Sequence, residues 1–403
     1  MLSERRRVLT DFDVVIVGAG PAGLLCGRML AEADYRVLIL EARSKVEHKL
    51  CGAYLCPSGV RLLEETGLMP SMEQRFHPVH GMILHSPNGQ SVTSYFPEPP
   101  RKSPSRLHHG LSLDRKAFDT FLAKEYLGAG GHLEMGQRLK NMLLHENGWE
   151  LETDQHRRIR TRLLIGADGR RSFVAKRLGL SKRSKSKRMA VHAFMPSMQM
   201  NPRMGEMHLF DAGDYIGLNP LDQRMVNVSW VFDPATLEGR SAEEALKRRM
   251  SESKALLSRF DLSQELELMT TSPLTHRVNR CHGPRSALIG DASGFVDPLT
   301  GEGIFVALAT ARMIASRLVA QPDWVMGDHI VPILQSYHRE REKAFASKKR
   351  VSMAFQRIIR SPRVCNAIQR YLAARQQRAD SFIGLVGNVY QPLNGLWHMV
   401  TAS

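Results

Sequence analysis

Glycines at three spaced positions and one acid further on are the residues of this chain whose types and spacing most plainly suit ligand chemistry. They lie in Gly18-Ala19-Gly20-Pro21-Ala22-Gly23 and at Glu41, the acid that closes the run Arg36-Val37-Leu38-Ile39-Leu40-Glu41. Gly18 permits a tight turn, Gly20 lets backbone approach a pyrophosphate, and Gly23 lets the following helix pack close to the preceding strand. The phosphates of a dinucleotide then rest on a helix N-terminus, where N–H groups and the helix dipole favour negative charge. An acid at Glu41, followed by Ala42 and Arg43, stands where ribose hydroxyls are taken. A glycine-rich turn with no ligand leaves Glu41 and the flanking strands unexplained. Two further glycine–acid pairs recur later, Gly166-Ala167-Asp168-Gly169 and Gly290-Asp291.

The elements that must position these residues follow from periodicity. Phe12–Val17 is a continuous apolar strand, a helix runs to about Asp34, and Arg36–Glu41 is a second strand, which together make a βαβ unit. A helix is predicted from Val60 to Thr66, closed by Gly67, and a hairpin from Val79–His85 and Ser91–Phe96 around Pro87-Asn88-Gly89. Pro97 to Ser105 is a proline-rich connector, and Leu113-Asp114-Arg115-Lys116-Ala117-Phe118-Asp119 opens a helix ending at Gly128. Strands are predicted at His132–Met135, Trp149–Thr153 and Arg162–Ile165. Alternating apolar runs at Met189–Met195, Met207–Phe210, Tyr215–Leu218 and Val226–Phe232 predict an antiparallel second sheet joined by the earlier hairpin. A helix from Ser241 to Phe260, a strand near Ser286–Ile289, a long helix after Gly303 and a basic helical remainder from Trp324 complete the chain.

Composition bounds the class. With 403 residues, 43% hydrophobic and 24% charged, the chain can bury a large core or two. Met1–Thr10 holds Arg5-Arg6-Arg7 and no apolar segment, and the apolar run Gly301–Ala320 is interrupted by Glu302, Arg312 and Arg317, which argues against secretion and against a membrane span. The five cysteines (Cys26, Cys51, Cys56, Cys281, Cys365) read as reduced thiols of a cytoplasmic protein, and none is paired at metal-binding spacing, so no metal site is expected. The net charge of +16 clusters at 170–188 and 339–378. It favours anionic partners, among them an acidic carrier protein or an anionic membrane surface at which the protein would sit peripherally. Nucleic acid fits poorly, because aromatic content is only 7% and the basic residues are not interleaved with aromatics. Lone histidines such as His192 and His208, and Trp230, read first as structural.

The three glycine–acid segments, with the phrase Gly290-Asp291-Ala292-Ser293-Gly294-Phe295-Val296-Asp297-Pro298-Leu299-Thr300-Gly301-Glu302-Gly303-Ile304, resemble the FAD-dependent fold shared by aromatic hydroxylases and geranylgeranyl reductases over roughly residues 11 to 345. The resemblance implies an α/β fold. A discontinuous FAD-binding Rossmann-type domain (11–78, 111–185, 276–323) would be interleaved with a β-sheet substrate domain (79–110, 186–275) and followed by a basic helical C-terminal region (324–403). It implies that Asp291 meets the ribityl hydroxyls, that backbone from Gly301 through Glu302 and Gly303 to Ile304 faces the flavin pyrimidine edge, that Arg115 lies near the pyrophosphate, and that Asp168 belongs to a motif shared for FAD and NAD(P)H. The full implied cofactor set is Gly18, Gly20, Pro21, Ala22, Gly23, Glu41, Ala42, Arg43, Cys51, Gly52, Arg115, Asp168, Gly290, Asp291, Gly301, Glu302, Gly303 and Ile304. Cys51, Tyr215 and Pro298 are candidates for the substrate cavity.

Within that superfamily, Lys49-Leu50-Cys51-Gly52-Ala53 and Phe295–Ile304 resemble the geranylgeranyl reductase branch. Tyr215-Ile216-Gly217-Leu218-Asn219-Pro220 keeps the tyrosine and proline of that branch's substrate motif, but Gly217 replaces a tryptophan and Asn219 a phenylalanine. A wider or differently filled cavity is implied there. The Trp-x-Trp-x-Ile-Pro motif of the related halogenases is absent, the nearest tryptophan being Trp230. The expected activity is reduction of a carbon–carbon double bond in a lipophilic small molecule, with electrons from NAD(P)H through FAD. The alternative is hydroxylation of an aromatic or polyketide-type substrate, free or carrier-tethered; a non-enzymatic flavoprotein holding an anionic partner is the contrasting class.

Overall fold

A computed structural model describes residues 11–72, 75–99, 105, 107–183, 187–197, 199–295, 299, 301–325 and 329–390. Pro298 and the tail from residue 391 lie outside them. The runs Val14–Val17, Val37–Leu40 and Leu163–Ile165 are apolar at every position, as strands covered on both faces must be, and all are buried. They pair in parallel, Val14 opposite both Val37 and Leu163. The parallel order is His132–Met135, Val37–Glu41, Phe12–Val17, Arg158–Gly166, Ser286–Leu288. An antiparallel ribbon, Leu139–His145 and Gly148–Thr153, extends the start of Arg158–Gly166. Leu139–His145 has no counterpart in the sequence reading because it buries only Leu139 and Met142, too few to show a period of two.

Helix Pro21–Ala31 begins with proline at its first turn, where a missing N–H costs nothing, and packs between the sheet and Gly303–Ala320. Helix Arg115–Gly128 starts at Asp114, whose side chain accepts from Ala117 N at 2.7 Å, and Tyr126 Oη donates to Val37 O at 2.9 Å, tying helix to sheet. Gly303–Ala320 is long and apolar enough to cross a membrane by composition. Here nine of its residues, among them Ile304, Leu308, Ile314 and Leu318, are buried against neighbouring elements, so the protein core accounts for its apolar character.

The second sheet has seven strands in the order Met269–Thr271, Met189–Pro196, Met225–Phe232, Tyr215–Pro220, Met204–Leu209, Gly81–His85, Ser91–Tyr95. It differs from the expected antiparallel sheet at one seam: Met204–Leu209 and Gly81–His85 run parallel. The hairpin reaches that edge from far upstream in the chain, so no tight turn imposes the antiparallel sense. Its outer face packs on helices Ala242–Ser251 and Lys254–Leu257, with Trp230 fully buried and stacked on Phe232 at 3.8 Å. The single helix predicted over 241–260 is two, because Ser253 turns to extended backbone and starts the second. A small sheet of Tyr54–Leu55, Gly110–Ser112 and His77–Val79 lies at the junction of the two large ones. Helices Pro362–Ala373 and Gln376–Val386 pack on the edge strand Ser91–Tyr95, and the end of Ile330–Ile358 brings Phe355 and Ile358 into a cluster with Tyr215 and Val231 of the same sheet.

Candidate active site

Backbone geometry shapes the nucleotide side of the site. Gly18 has φ +109°, and a Cβ there would sit 2.5 Å from Ala167 O. A Cβ on Gly23 would meet Gly18 O at 2.1 Å, whereas one on Gly20 would meet nothing within 4 Å. Two glycines are therefore required by packing and the middle one leaves an open approach, the cradle a pyrophosphate needs. Glu41 is held by its neighbours: Oε2 accepts from Ala19 N at 2.9 Å and Oε1 from Arg43 N at 3.1 Å.

Arg115 forms a two-pronged pair with Asp119, 3.1 and 3.0 Å. Asp119 is fully buried and also takes Lys49 Nζ at 3.2 Å, so two cations share one carboxylate and a net positive charge remains beside Cys51. That arrangement suits phosphate; Asp119 did not stand out in the sequence, and Lys49 did so only as part of the segment Lys49–Ala53. Asp168 Oδ2 accepts from Phe173 N (2.7 Å) and Val174 N (3.1 Å), anchoring the short helix Phe173–Arg177, while Oδ1 is buried with no partner among the described residues. Burial raises its pKa against the pull of those bonds and of Ser172. Asp291 reaches the cavity wall with Arg170 Nε at 3.7 Å; burial raises its pKa, with Arg170 and Arg115 opposing. Gly290 (φ +55°) donates its N–H to Thr310 Oγ1 at 2.8 Å. Gly301, Gly303 and Ile304 line the cavity, but the Glu302 side chain turns toward the C-terminal helices, accepting from Asn388 Nδ2 and pairing with Lys348 at 3.5 Å.

Gly18, Gly20, Glu41, Lys49, Arg115 and Asp291 line one continuous cavity of about 1020 Å³, at the upper end of small-molecule sites. The second sheet supplies another wall through Met82, Leu84, Met207, Leu209 and Tyr215, and the C-terminal helices a third through Phe355, Ile359, Cys365, Ile368, Leu372 and Phe382. Cys51 and Tyr215, both expected at the cavity, line it; Gly52 lines it beside Cys51.

The position of Gly217 matters most on the sheet wall. Among the described residues a Cβ there would find only Ser229 O, at 3.9 Å, so the missing side chain leaves open volume. Asn219 is not a bulky wall residue but a tie. Its Nδ2 donates to Ala53 O and to Ser112 Oγ (2.7 Å), and from the next strand Asn227 Nδ2 donates to Cys51 O at 3.1 Å. Together they pin the segment Cys51–Ala53, whose Ala53 takes φ +52°.

The histidines separate. His192 is buried beside Ser229, and burial and then His48 hold its pKa down to about 4. His208 departs from the reading of a lone side chain. Its Nε2 is 3.0 Å from Glu206 Oε2, it stacks on His85 at 4.0 Å, and it faces away from Met207 and Leu209. Glu206 also takes Arg259 on both oxygens, 2.6 and 2.9 Å. His85, Glu206 and His208 are metal-ligating in type, but Arg259 already neutralises the carboxylate and holds both its oxygens. Burial lowers the His208 pKa to about 4 despite Glu206, so a neutral imidazole donates to a charged carboxylate.

Comparison with known proteins agrees with this geometry. Residues 11–350 match the family model described as FAD binding domain. Digeranylgeranylglycerophospholipid reductase 2 of Methanopyrus kandleri is 29% identical over 322 residues, covering 77% of each chain. Rifampicin monooxygenase of Streptomyces venezuelae is 24% identical over 341 residues, covering 82% of this chain and 68% of that protein. A crystal structure of a flavoprotein/dehydrogenase from Cytophaga hutchinsonii superposes with TM-score 0.80 at 17% identity, covering 97% of this chain and 96% of the other. A cradle that admits pyrophosphate, a cationic pair beside it and a family match spanning both lead to one conclusion: the chain belongs to the FAD-binding domain family and is an FAD-dependent oxidoreductase.

Proposed function

We propose that the protein reduces a carbon–carbon double bond in a long lipophilic substrate, taking electrons from NAD(P)H. The observation that carries this reading is the apolar arm of the cavity. It runs from the nucleotide wall between Leu209, Tyr215 and the C-terminal helices, and is lined by aliphatic and aromatic side chains. Such a trough stabilises an extended hydrocarbon by about 25 cal/mol for each Å² of apolar surface it removes from water. Bound FAD supplies the redox chemistry. Gly18, Gly20 and Gly23 admit the pyrophosphate, Lys49 and Arg115 offset its charge, and the N-terminal turn of Gly303–Ala320 offers N–H groups to negative charge on the ring. The C-terminal helices exclude water. Cys51, beside Arg115 where the nucleotide wall meets the sheet, is the thiol we assign to proton delivery, with Tyr215 as the other protic candidate.

The test compares oxygen uptake with NAD(P)H oxidation in FAD-loaded protein given a polyprenyl phospholipid and, separately, phenolic compounds. Oxidation of NAD(P)H without oxygen, with a lipid product gaining two hydrogens, is the expected result. One-to-one oxygen use with an oxygenated aromatic product would replace the reductase reading with the monooxygenase one.

A further inference from the structure

The helix Pro362–Ala373 has two faces with different duties. Cys365, Gln369 and Leu372 are buried, and with Ile368 they form part of the cavity wall. The opposite side exposes Arg363, Val364, Ala367, Arg370 and Tyr371. Val364 and Tyr371 are 43% and 40% exposed, and they lie two turns apart on one flank of this outer face. Tyr371 has the Arg378 guanidinium 4.4 Å over its ring. Exposed Arg357 and Arg360 precede the helix and exposed Arg375 follows it, with Arg360 reaching Asp233 at 3.6 Å on the rim. From residue 343 to residue 379 the chain carries ten lysines and arginines and no acid. Arg363 and Arg370 on this helix, with Arg357, Arg360 and Arg375 flanking it, thus gather positive charge on the outside of an element that covers the cavity.

From this we infer that the outer face of Pro362–Ala373 docks on a bilayer surface bearing anionic headgroups. An arginine-rich face with an aliphatic and an aromatic side chain set among the charges matches a headgroup region, where guanidinium meets phosphate and Tyr or Val enters the acyl boundary. An acidic protein would match the charge but gives no reason for exposing Val364 and Tyr371 beside it. The inference rests on the reading that the substrate is lipophilic, since such a molecule partitions into a bilayer. Docking through this helix would place the cavity wall at that reservoir.

The experiment is flotation of the full-chain, FAD-loaded protein with vesicles of phosphatidylcholine alone or mixed with phosphatidylglycerol. Binding is expected to the anionic vesicles, to fall with added salt, and to be lost by at least about tenfold in the double variant Arg363→Glu, Arg370→Glu. Val364→Ser with Tyr371→Ser should weaken it at unchanged charge. Retained flavin absorbance and thermal midpoint show that each variant is folded. Equal binding to both vesicle types, binding unaffected by the arginine reversals, or failure to bind any vesicle would overturn the inference, the last also if an acidic carrier protein is bound instead. Turnover of detergent-dispersed lipid keeps the two readings apart. Activity without vesicle binding refutes the docking alone, and vesicle binding without lipid turnover refutes the substrate reading.

Discussion

Two walls of one cavity use glycine in opposite ways. On the nucleotide wall, a Cβ on Gly18 or Gly23 would collide with backbone oxygens at 2.5 and 2.1 Å. On the sheet wall, a Cβ on Gly217 would meet nothing closer than 3.9 Å. The first pair is demanded by how strand, turn and helix close on each other, so it can vary little while the ligand stays the same. Gly217 is demanded by nothing in the backbone and records only how much room the cavity has. The nucleotide side of the cavity is therefore built into the chain's local geometry, whereas the room on the sheet side is set by side chains that the backbone does not dictate.

The largest effect on cofactor binding should come from Gly23→Val. The new side chain cannot be relieved by a rotamer change, because the obstacle is the Gly18 carbonyl, and FAD affinity should drop by roughly 100-fold or more, about 2.7 kcal/mol. Titration of the apoprotein by flavin fluorescence measures it, and near-native affinity would break the contrast between the walls.

Next is Arg259→Leu, on the far face of the sheet that carries Gly217. It strands Glu206, whose carboxylate is 3% exposed, and should cost about 3–5 kcal/mol in denaturant unfolding. A loss under about 1 kcal/mol would mean that His85 and His208 suffice for that charge.

Acid should act through the buried imidazoles. His192 and His208 are held down to about 4, below the ordinary histidine value, so between pH 6.5 and 4 the unfolded chain binds protons that the folded one does not. Stability is then whole above pH 6.5 and falls as pH drops toward 4, by up to about 3 kcal/mol per histidine. Unfolding curves of the protein and of His208→Gln across this window should differ in slope, the variant being flatter. Parallel curves would contradict the burial assigned to His208.

The smallest effect has the opposite sign. Gly217→Ala adds a methyl to open space in a strand and should raise stability by about 0.5–1 kcal/mol, with FAD affinity unchanged. Gly217→Trp should leave flavin binding intact while raising KM for bulky substrates. A drop in FAD affinity in either variant would show that this wall also serves the cofactor.

The parts of the site legible in the sequence are those made by near neighbours in the chain. Gly18 to Glu41, the pairs at Asp168 and Asp291, and the apolar runs of both sheets all announce themselves locally. The pair Asp119–Lys49, the clamp of Glu206 by Arg259 and the tie from Asn219 to Ala53 do not, because each joins residues that only the fold brings together. His208 reads as structural in the sequence and is buried in the fold, but its setting is not legible: Glu206 lies two residues away, whereas Arg259, which holds that carboxylate, comes to it only through the fold. Glu302 illustrates the same limit, since its place at the helix start is local but its turn toward Asn388 and Lys348 is not.

The reductase reading is tested most directly by a single turnover without oxygen. The FAD-loaded protein is reduced, mixed anaerobically with a polyprenyl phospholipid, and followed by flavin absorbance and product mass. The oxidised flavin spectrum is expected to return as the lipid gains two hydrogens per double bond reduced. A flavin that stays reduced until oxygen is admitted, leaving the lipid unchanged, would contradict it.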